Sequence, residues 1–576
     1  MTKAETKTHS TDSVQVCQNC KKDFVIEPDD FAFYEKMKVP APTWCSDCRR
    51  MRRFAFTNLW YLYRRPCAKC GKDVISIYSP DKKFLVYCAP CWWADDWDGT
   101  EYAADYDASK PFLEQVRDLN LKTPRQGLEY SYLSNTNCDY ANGVAHCKNC
   151  YLVFWSDYCE NAYYSTFINS LKDSLDCYRM IDGELCYGDI GCKKCYRTFF
   201  SEECDSCTDI WFSRSCAGCT NCFGCINLRN KSYCIFNEQY SREEYLGKLK
   251  DFSLNSRTAL AEIEKRVHEF WSKHPYRAYI GNSLNVNVTG DYIYESKNTK
   301  DAYMVTNTED SRFVEFVSVA STRDAYDYAG WGNGAERIYE SATVGEGASD
   351  VKFSLMCWPD ALDNEYSMYS VSCKHVFGCA NLKRKQYCIL NKEYSKEEYE
   401  KLSAQIREDM KKNPYVDLTG RKWPYGEFLP LEFSTFAYNE TLAQQFFPKT
   451  KEEVLALGMS WYEGEGNKHV ITKNGDKLPN TITETDESVL KEAIGCVECG
   501  KAFKIVFGEL ELMRKLNLPL PGACPSCREK ARLARTNLPR LYDRKCAKCG
   551  KEIKTSYASD RPEIVYCESC YQSEVS

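Results

Sequence analysis

Cysteine dominates the chemistry that this chain can support, because 35 of its 576 residues are cysteines and only six are histidines. Sixteen of the cysteines form eight C-x-x-C pairs near the two ends. A C-x-x-C pair places two thiolates on one tight turn, and two such pairs make the tetrahedral S4 site that suits zinc. Joining neighbouring pairs closes the shorter loops and predicts four sites, whose ligands are Cys17, Cys20, Cys45 and Cys48; Cys67, Cys70, Cys88 and Cys91; Cys496, Cys499, Cys524 and Cys527; and Cys546, Cys549, Cys567 and Cys570.

The two terminal segments that carry these cysteines are copies of one module. Residues 17–91 align with residues 496–570 at a constant offset of 479 without a gap, and 31 of the 75 positions are identical. Four thiolates leave no open coordination position, so we expect about four structural zinc ions. Disulfides in a secreted protein are the rival interpretation. The polar N-terminus lacks the apolar stretch of a signal peptide, which favours a cytoplasmic protein with reduced thiols.

The module resembles known zinc-binding families. Cys17-x-x-Cys20, Phe24, Phe33-Tyr34, Pro42 and Cys45-x-x-Cys48-Arg49 are similar to a small bacterial family of treble-clef-like, zinc-binding domains. The stretch from Pro66 to Cys91 is similar to the short zinc ribbon that often follows that domain. Counting both copies, the resemblance covers about 150 of the 576 residues. It implies metal binding, and it implies no particular activity.

Arginines follow the fourth ligand of the first site in each module. Residues 17–91 carry 14 Lys/Arg against 8 Asp/Glu, although the whole chain has a formal net charge of −6. A helix that begins at the ligand cysteines would present these arginines, and phosphate contact with RNA or DNA is one interpretation. The other is a solvated face that compensates the thiolate charge of the zinc site. The candidate nucleic-acid contacts are Arg49, Arg50, Arg52, Arg53, Arg528, Arg532 and Arg535.

From Cys138 the cysteines form a ladder, spaced alternately nine and three residues apart, with a 12-residue repeat. A repeat this short predicts stacked coils, that is, a β-solenoid. Because 12 extended residues span at most about 40 Å, we expect two repeats per coil. The inner thiols could pack as small apolar side chains. Alternatively they could bind further zinc or an iron–sulfur cluster, with ligands drawn from Cys192, Cys195, Cys204, Cys207, Cys216, Cys219, Cys222 and Cys225.

A second duplication ends the ladder, since Phe223–Asn237 recurs as Phe377–Asn391. Both copies lead into helices with predicted capping boxes, Ser241 with Glu244 and Ser395 with Glu398. We therefore predict a mainly β fold in which duplicated β-solenoid-like repeats with short capping helices are bracketed by tandem zinc-ribbon and treble-clef modules. The predicted segments are a disordered tail (1–16), the double-zinc module (17–91), an aromatic acidic connector (92–137), a cysteine-rich solenoid (138–239), a helical segment (240–280), a tyrosine-rich solenoid (281–393), a helix (394–414), an extended arm (415–495), the second double-zinc module (496–570) and a tail (571–576).

The function predicted from these features is binding rather than catalysis. The sequence contains no phosphate-binding loop, no dinucleotide-binding glycine motif and no HExxH, and six histidines offer little for a catalytic constellation. We expect a zinc-binding scaffold that engages a macromolecular partner, either a protein or RNA. No apolar run approaches the length of a membrane span, so no membrane association is expected. The alternatives are nucleic-acid binding through the arginines and metal handling or redox chemistry through the ladder.

Overall fold

The structure is a computed structural model that describes residues 13–131, 133–138, 140–319, 321–464 and 469–575. The predicted tail lies outside these ranges, except for residues 13–16, which form a strand. The chain divides into two compact units, each made of two separate segments. The first unit comprises residues 1–127 and 279–462, and the second comprises residues 128–278 and 463–576. Each terminal module thus belongs to the same unit as repeats that lie far from it in sequence.

The first unit joins the N-terminal module to an 11-stranded sheet. The segment up to residue 127 contains helices Pro28–Met37, Ser46–Phe54, Ala89–Trp93 and Phe112–Lys122, and strands Ser13–Val16, Asp23–Ile26, Tyr63–Pro66, Asp73–Ser76, Val86–Tyr87 and Arg125–Gln126. The sheet contains Gly290–Tyr294, Lys297–Lys300, Ala302–Thr306, Thr308–Val317, Thr322–Gly332, Ala335–Gly345, Ser349–Lys352, Leu362–Glu365, Lys374–Phe377, Gln386–Ile389 and Lys392–Glu393. Helices Lys396–Lys412, Leu442–Phe446 and Lys451–Ala456 and strands Tyr415–Val416 and Lys422–Trp423 follow.

The second unit joins the C-terminal module to a 10-stranded sheet. The sheet contains Asn142–Ala145, Tyr151–Asp157, Glu160–Thr166, Asn169–Leu175, Ile181–Glu184, Lys193–Phe199, Thr208–Trp211, Thr220–Phe223, Ser232–Ile235 and Glu238–Gln239. The helices of this unit include Arg242–Asp251, Arg257–Trp271, Phe507–Leu516, Pro525–Ala534 and Glu568–Val575. Further strands are Pro275–Arg277, Lys473–Asn474, Ile494–Gly495, Ala502–Phe503, Tyr542–Lys545, Glu552–Thr555 and Ile564–Tyr566. The predicted tail from residue 571 is helical as far as Val575.

Strands that follow one another in sequence pair in parallel in both long sheets. In the second unit each residue lies opposite the residue one repeat further along the chain, as Tyr151 lies opposite Tyr163. In the first unit the offset is less regular and is longer at some pairs, as in Thr308 opposite Thr322. One repeat therefore separates paired strands, and the expectation of two repeats is wrong. The physical reason is that the chain bends at every third residue. After one repeat it therefore lies beside the strand from which it started, and the two strands pair.

The bends are residues in the left-handed backbone conformation. From Asn137 to Phe236 a residue with positive φ recurs at every third position, for example Asn149 at 53° and Leu152 at 51°. Left-handed conformations are unfavourable for residues other than glycine. Parallel hydrogen bonds offset this cost, because bend residues donate their backbone N–H groups to the preceding repeat. The N–H of Phe200, for example, donates to the Tyr187 carbonyl at 2.8 Å.

Most residues that follow a bend point inward and are buried, although Lys231, which follows Asn230, is exposed. In the second unit these inward positions recur every third residue and carry mostly Cys, Ser, Val, Ala, Ile and Leu, which form the core of the sheet. Every cysteine from Cys138 to Cys234 follows a bend residue, and all of them except the partly buried Cys138 are buried. The nine- and three-residue spacings of the ladder are thus multiples of one period of three. In the first unit the inward core includes Ile293, Val305, Val314, Ile338 and Val351.

Helices close the C-terminal end of each sheet. The predicted capping boxes are confirmed, since the hydroxyls of Ser241 and Ser395 accept from the N–H groups of Glu244 and Glu398, which bond back. Both helices follow a short antiparallel strand that ends the parallel series. Each such helix buries a tyrosine, Tyr245 or Tyr399, that packs edge-on against a tyrosine of the last parallel strand. The duplicated sequences therefore build equivalent ends.

Candidate metal centres

The first cysteine quartet joins a hairpin turn to the start of a helix. Cys17 and Cys20 lie on the turn between the antiparallel strands Ser13–Val16 and Asp23–Ile26, which Lys21 closes with a φ of 61°. Cys45 is the N-cap of helix Ser46–Phe54, and Cys48 lies in the first turn of that helix. The four sulfur atoms lie within 4.8 Å of one another. The ligands thus come from two rigid elements rather than from a free loop.

The other three predicted quartets have the same construction. Each has its four sulfur atoms within 4.8 Å of one another. A glycine with positive φ closes the turn in each, namely Gly71, Gly500 and Gly550. The remaining ligands lie at or beside the starts of helices Ala89–Trp93, Pro525–Ala534 and Glu568–Val575. The groups found in the structure are those predicted from the spacing of the pairs.

The sulfur separations fit a tetrahedral metal site. The distance across each quartet is 3.8 Å for Cys20 to Cys45, 3.9 Å for Cys70 to Cys88, 3.8 Å for Cys499 to Cys524 and 3.7 Å for Cys549 to Cys567. A tetrahedron with zinc–sulfur bonds of about 2.3 Å has sulfur–sulfur edges of about 3.8 Å. The quartets therefore have the size that a zinc ion requires, and they contain no fifth ligand among the described residues.

Backbone N–H groups stabilise the thiolate form of one cysteine in each quartet. The sulfurs of Cys17, Cys67, Cys496 and Cys546 accept from backbone N–H groups of Cys45, Cys88, Cys524 and Cys567, at 3.1 to 3.2 Å. Burial alone would raise the pKa of Cys67, but the backbone N–H groups of Cys70 and Cys88 lower that pKa to about 6. The same balance of burial against backbone hydrogen bonds lowers the pKa of Cys496 and of Cys546 to about 6. Lowered thiol pKa values favour metal coordination.

The four arginines after Cys48 are buried against the long sheet of the first unit. Arg52 and Arg53 have no exposed surface, and Arg49 and Arg50 are at most 5% exposed. We call helix Ser46–Phe54 the first arginine helix. We call Glu315, Asp327 and Glu340, which are also fully buried, the acidic strip.

Every arginine of the first arginine helix pairs with the acidic strip. Arg50 Nε lies 2.6 Å from Glu315, and Arg49 Nε lies 2.9 Å from Asp327. Arg53 bridges Glu315 at 3.1 Å and Asp327 at 3.0 Å. Arg52 lies 2.8 Å from both Glu340 and Glu427, and its guanidinium is 4.6 Å from the Trp44 ring and 5.2 Å from the Trp423 ring. The ion pairs therefore form one connected network.

The second module repeats this arrangement within its own unit. In helix Pro525–Ala534, which we call the second arginine helix, Arg528 lies 2.5 Å and Arg532 2.9 Å from Asp176. Arg535, the C-cap of that helix, pairs with Glu202. Arg528 and Arg532 are at most 9% exposed. Burial leaves Arg528 and Arg532, like the arginines of the first arginine helix, without the surface that phosphate contact or a solvated face needs, whereas the side chain of Arg535 stays 24% exposed.

The inner cysteines bond to carbonyl oxygens instead of forming quartets. Cys204 Sγ lies 3.4 Å from the carbonyls of both Glu202 and Ser213. Cys207 Sγ bonds in the same way to the carbonyls of Asp205 and Cys216. Among the described residues, ligand atoms gather in groups of three or more only at the four terminal quartets. The structure does not bring together a quartet from Cys192, Cys195, Cys204, Cys207, Cys216, Cys219, Cys222 and Cys225.

All the cysteines lie in the described ranges and none is joined in a disulfide. The carboxylates that receive the arginines were not predicted from the sequence. One signal for these carboxylates was present in the sequence. Asp327 and Glu340 are acids at the same outward position of consecutive repeats, directly after the paired residues Tyr326 and Tyr339. Within the described ranges, every helix is too short or too polar to cross a lipid bilayer.

Comparison with known proteins gives little further guidance. No protein-family model matches the chain, and no curated protein matches it. Among solved structures, a candidate acetyltransferase from Desulfovibrio desulfuricans is similar at 9% identity, over 50% of this chain and 86% of that one, with a TM-score of 0.10. A TM-score this low carries no argument about fold or activity.

Proposed function

We propose that this protein is a zinc-binding scaffold in which four structural zinc ions hold the terminal modules folded on two β-solenoids. The observation that carries the proposal is the set of four closed cysteine quartets, with sulfur separations of 3.7 to 3.9 Å. Four thiolates fill a tetrahedral site and leave no position for water or substrate. The construction from a hairpin turn and a helix start supports the treble-clef and zinc-ribbon types that the sequence resembles.

The solenoid assignment rests on the pairing of consecutive strands. A constant parallel offset of one repeat in the second unit, with a bend at every third residue, describes a coil of four short sides. The thiols that fill its interior donate to carbonyls beside the bends and take the role of small core residues. Free thiols in this number are typical of a reducing compartment, and this supports a cytoplasmic location.

We propose a protein partner rather than RNA, because six of the seven arginines predicted to contact nucleic acid are buried. In the second unit, some side chains along the long sheet remain exposed, among them Tyr158 at 59% and Tyr196 at 42%. Solenoids present such faces to extended partners. Tyrosine is enriched among the residues that dominate protein interfaces.

Metal analysis of purified full-length protein tests the first part of the proposal. We expect about four zinc ions per chain, no iron, and no absorption in the visible range. Iron or a coloured sample would refute it, and so would a metal content near zero in protein that is folded by circular dichroism. Affinity capture from a cell extract tests the second part, with a Tyr158→Ser/Tyr196→Ser variant as the matched control. Capture of the same proteins by both would refute binding through these tyrosines, and a defined catalytic turnover without any captured partner would refute the scaffold role.

A further inference from the structure

Each arginine helix connects a metal site directly to buried carboxylates. In the first arginine helix, Cys45 and Cys48 supply two ligands, and Arg49 follows without an intervening residue. One turn further on, Arg52 and Arg53 reach the acidic strip. The buried ion pairs therefore begin with Arg49, next to a metal ligand, and continue for one further turn of the same helix.

The arginine helix is poorly stabilised by its own sequence. It is nine residues long, which is shorter than a helix needs for stability in water. Its arginines include Arg49 and Arg50 in the first half, where positive charge opposes the helix macrodipole. Buried ion pairs do not compensate for this, because the desolvation of the charges roughly cancels their attraction. Phe54 anchors the end of the helix against Phe316 and Phe446, and the quartet fixes its start, where the two ligands and Arg49 lie.

The second site of each module provides an internal contrast. Helices Ala89–Trp93 and Glu568–Val575 also begin beside quartet cysteines, but neither contains an arginine or a lysine. Helix Ala89–Trp93 instead contacts aromatic rings, with Trp92 packed edge-on against Trp97. Both modules thus have one quartet that carries an arginine helix and one that does not. The first quartet is associated with buried carboxylates in both units, so this association is a recurring property of the module.

We infer that metal in the first quartet of each module acts as a latch, which holds the arginine helix over buried carboxylates and releases it when the metal is lost. The inference rests on the proposed function, since it requires that the quartets bind metal. Release of the first arginine helix uncovers Glu315, Asp327 and Glu340, all of which are fully buried in the latched form. Three uncovered acids on three neighbouring strands would then convert a closed face of the sheet into an exposed anionic one.

Hydrogen–deuterium exchange on the full chain tests the latch. Cys20→Ser/Cys45→Ser removes two ligands of the first quartet, and Cys70→Ser/Cys88→Ser does the same at the second quartet of the same module. We expect each variant to lose one of four metals. Only the first should exchange faster, by at least tenfold, over residues 46–54, 308–317, 322–332 and 335–345. Strands Lys374–Phe377 and Gln386–Ile389 of the same sheet serve as the internal reference and should be unchanged.

Each other outcome is decisive. Equal exchange in the two variants would overturn the latch, because the arginine helix would then not depend on its own quartet. Faster exchange throughout the sheet, reference strands included, would also overturn it, since the unit would unfold rather than open at one helix. In the second unit, Cys499→Ser/Cys524→Ser should likewise speed the exchange of residues 525–534 and of strand Asn169–Leu175, which directly precedes Asp176. Wild-type protein without metal would refute the proposed function, whereas protected strands in a three-metal variant would refute only the latch.

Discussion

Asp327 is the residue at which the energetics of the buried network can be measured most directly. It has no exposed surface and receives Arg49 at 2.9 Å and Arg53 at 3.0 Å. Burial would raise the pKa of Asp327, but Arg49 and Arg53 lower it below the usual value, so the carboxylate is ionised. Asp327→Asn keeps the shape of the side chain and removes its charge. The change leaves two buried guanidinium groups short of one anion.

The loss of stability in Asp327→Asn depends on the acidic partners that Arg49 and Arg53 keep. Arg53 keeps Glu315 at 3.1 Å, and Arg49 keeps only Glu340 at 3.6 Å. Removing one partner of a buried ion pair costs about 3 to 5 kcal/mol. Because both arginines retain a second acid, we expect a loss near the lower end, about 3 kcal/mol, which is about a hundredfold in an equilibrium constant. The control is Glu309→Gln in the exposed pair with Lys297 at 3.0 Å, where only a small effect is expected because water screens the two charges.

Native-state hydrogen exchange in metal-loaded protein is the assay. Exchange of residues 322–332 should report an opening constant about a hundredfold larger in Asp327→Asn than in the wild type, and less than tenfold larger in Glu309→Gln. Metal content must stay the same in all three proteins. If Asp327→Asn and Glu309→Gln open the strand equally, leaving a buried guanidinium short of an anion costs no more than breaking a surface pair. The reasoning that links burial to the cost of an unpaired charge would then be refuted.

Three further predictions concern pH, the inner thiols and the backbone. Burial raises the pKa of Glu340 to about 7 although Arg52 lowers it, against an ordinary value of 4.5. Because the folded-state pKa is the higher one, Glu340 contributes stability at low pH that is lost as pH rises from 4.5 to 7, so Glu340→Gln should gain about 3 kcal/mol on the wild type across that window. A difference in thermal midpoint that is independent of pH would contradict this. Cys207→Ser keeps a donor to the Asp205 and Cys216 carbonyls and should cost at most about 1 kcal/mol, with metal content unchanged; loss of metal would show that the thiol is a ligand. Gly290→Ala would drive a Cβ into the Ala302 carbonyl at a φ of 138° and should lower the thermal midpoint by several degrees. Gly247→Ala, in a helix with open space at that position, should instead raise stability by about 0.5 to 1 kcal/mol, and equal effects of the two changes would contradict the backbone account.

The metal quartets were predictable because the information is local. Cys17 and Cys20 lie on one turn, and Cys45 and Cys48 lie on one helical turn, so sequence spacing alone limits which pairs can meet. The fit of all four quartets to tetrahedral size follows from the same short-range geometry. The capping boxes at Ser241 and Ser395 were predictable for the same reason, since a cap and its partner are only one helical turn apart.

The long-range features could not be predicted from local spacing. Arg52 and Glu340 are 288 residues apart in sequence, and nothing beside either residue indicates the other. The repeat was recognised, but its true unit of three residues was obscured because many inward positions carry Ser, Val or Ala instead of Cys. Bends formed by Tyr, Phe and Leu in the left-handed conformation were also unexpected, because sequence patterns associate that conformation with Gly and Asn. Tertiary hydrogen bonding overrides that preference here.

The interleaved composition of the two units has a consequence for synthesis of the chain. Arg53 leaves the ribosome 262 residues before its partner Glu315. At the usual rate of translation, that interval is roughly 10 to 50 s. Throughout it, the arginines of the nascent N-terminal module lack the carboxylates of the acidic strip. The second unit inverts the order, because Asp176 is made 352 residues before Arg528. Until the second half of the chain has been made, the first half therefore exposes one basic and one acidic surface, and the residues made later cover both.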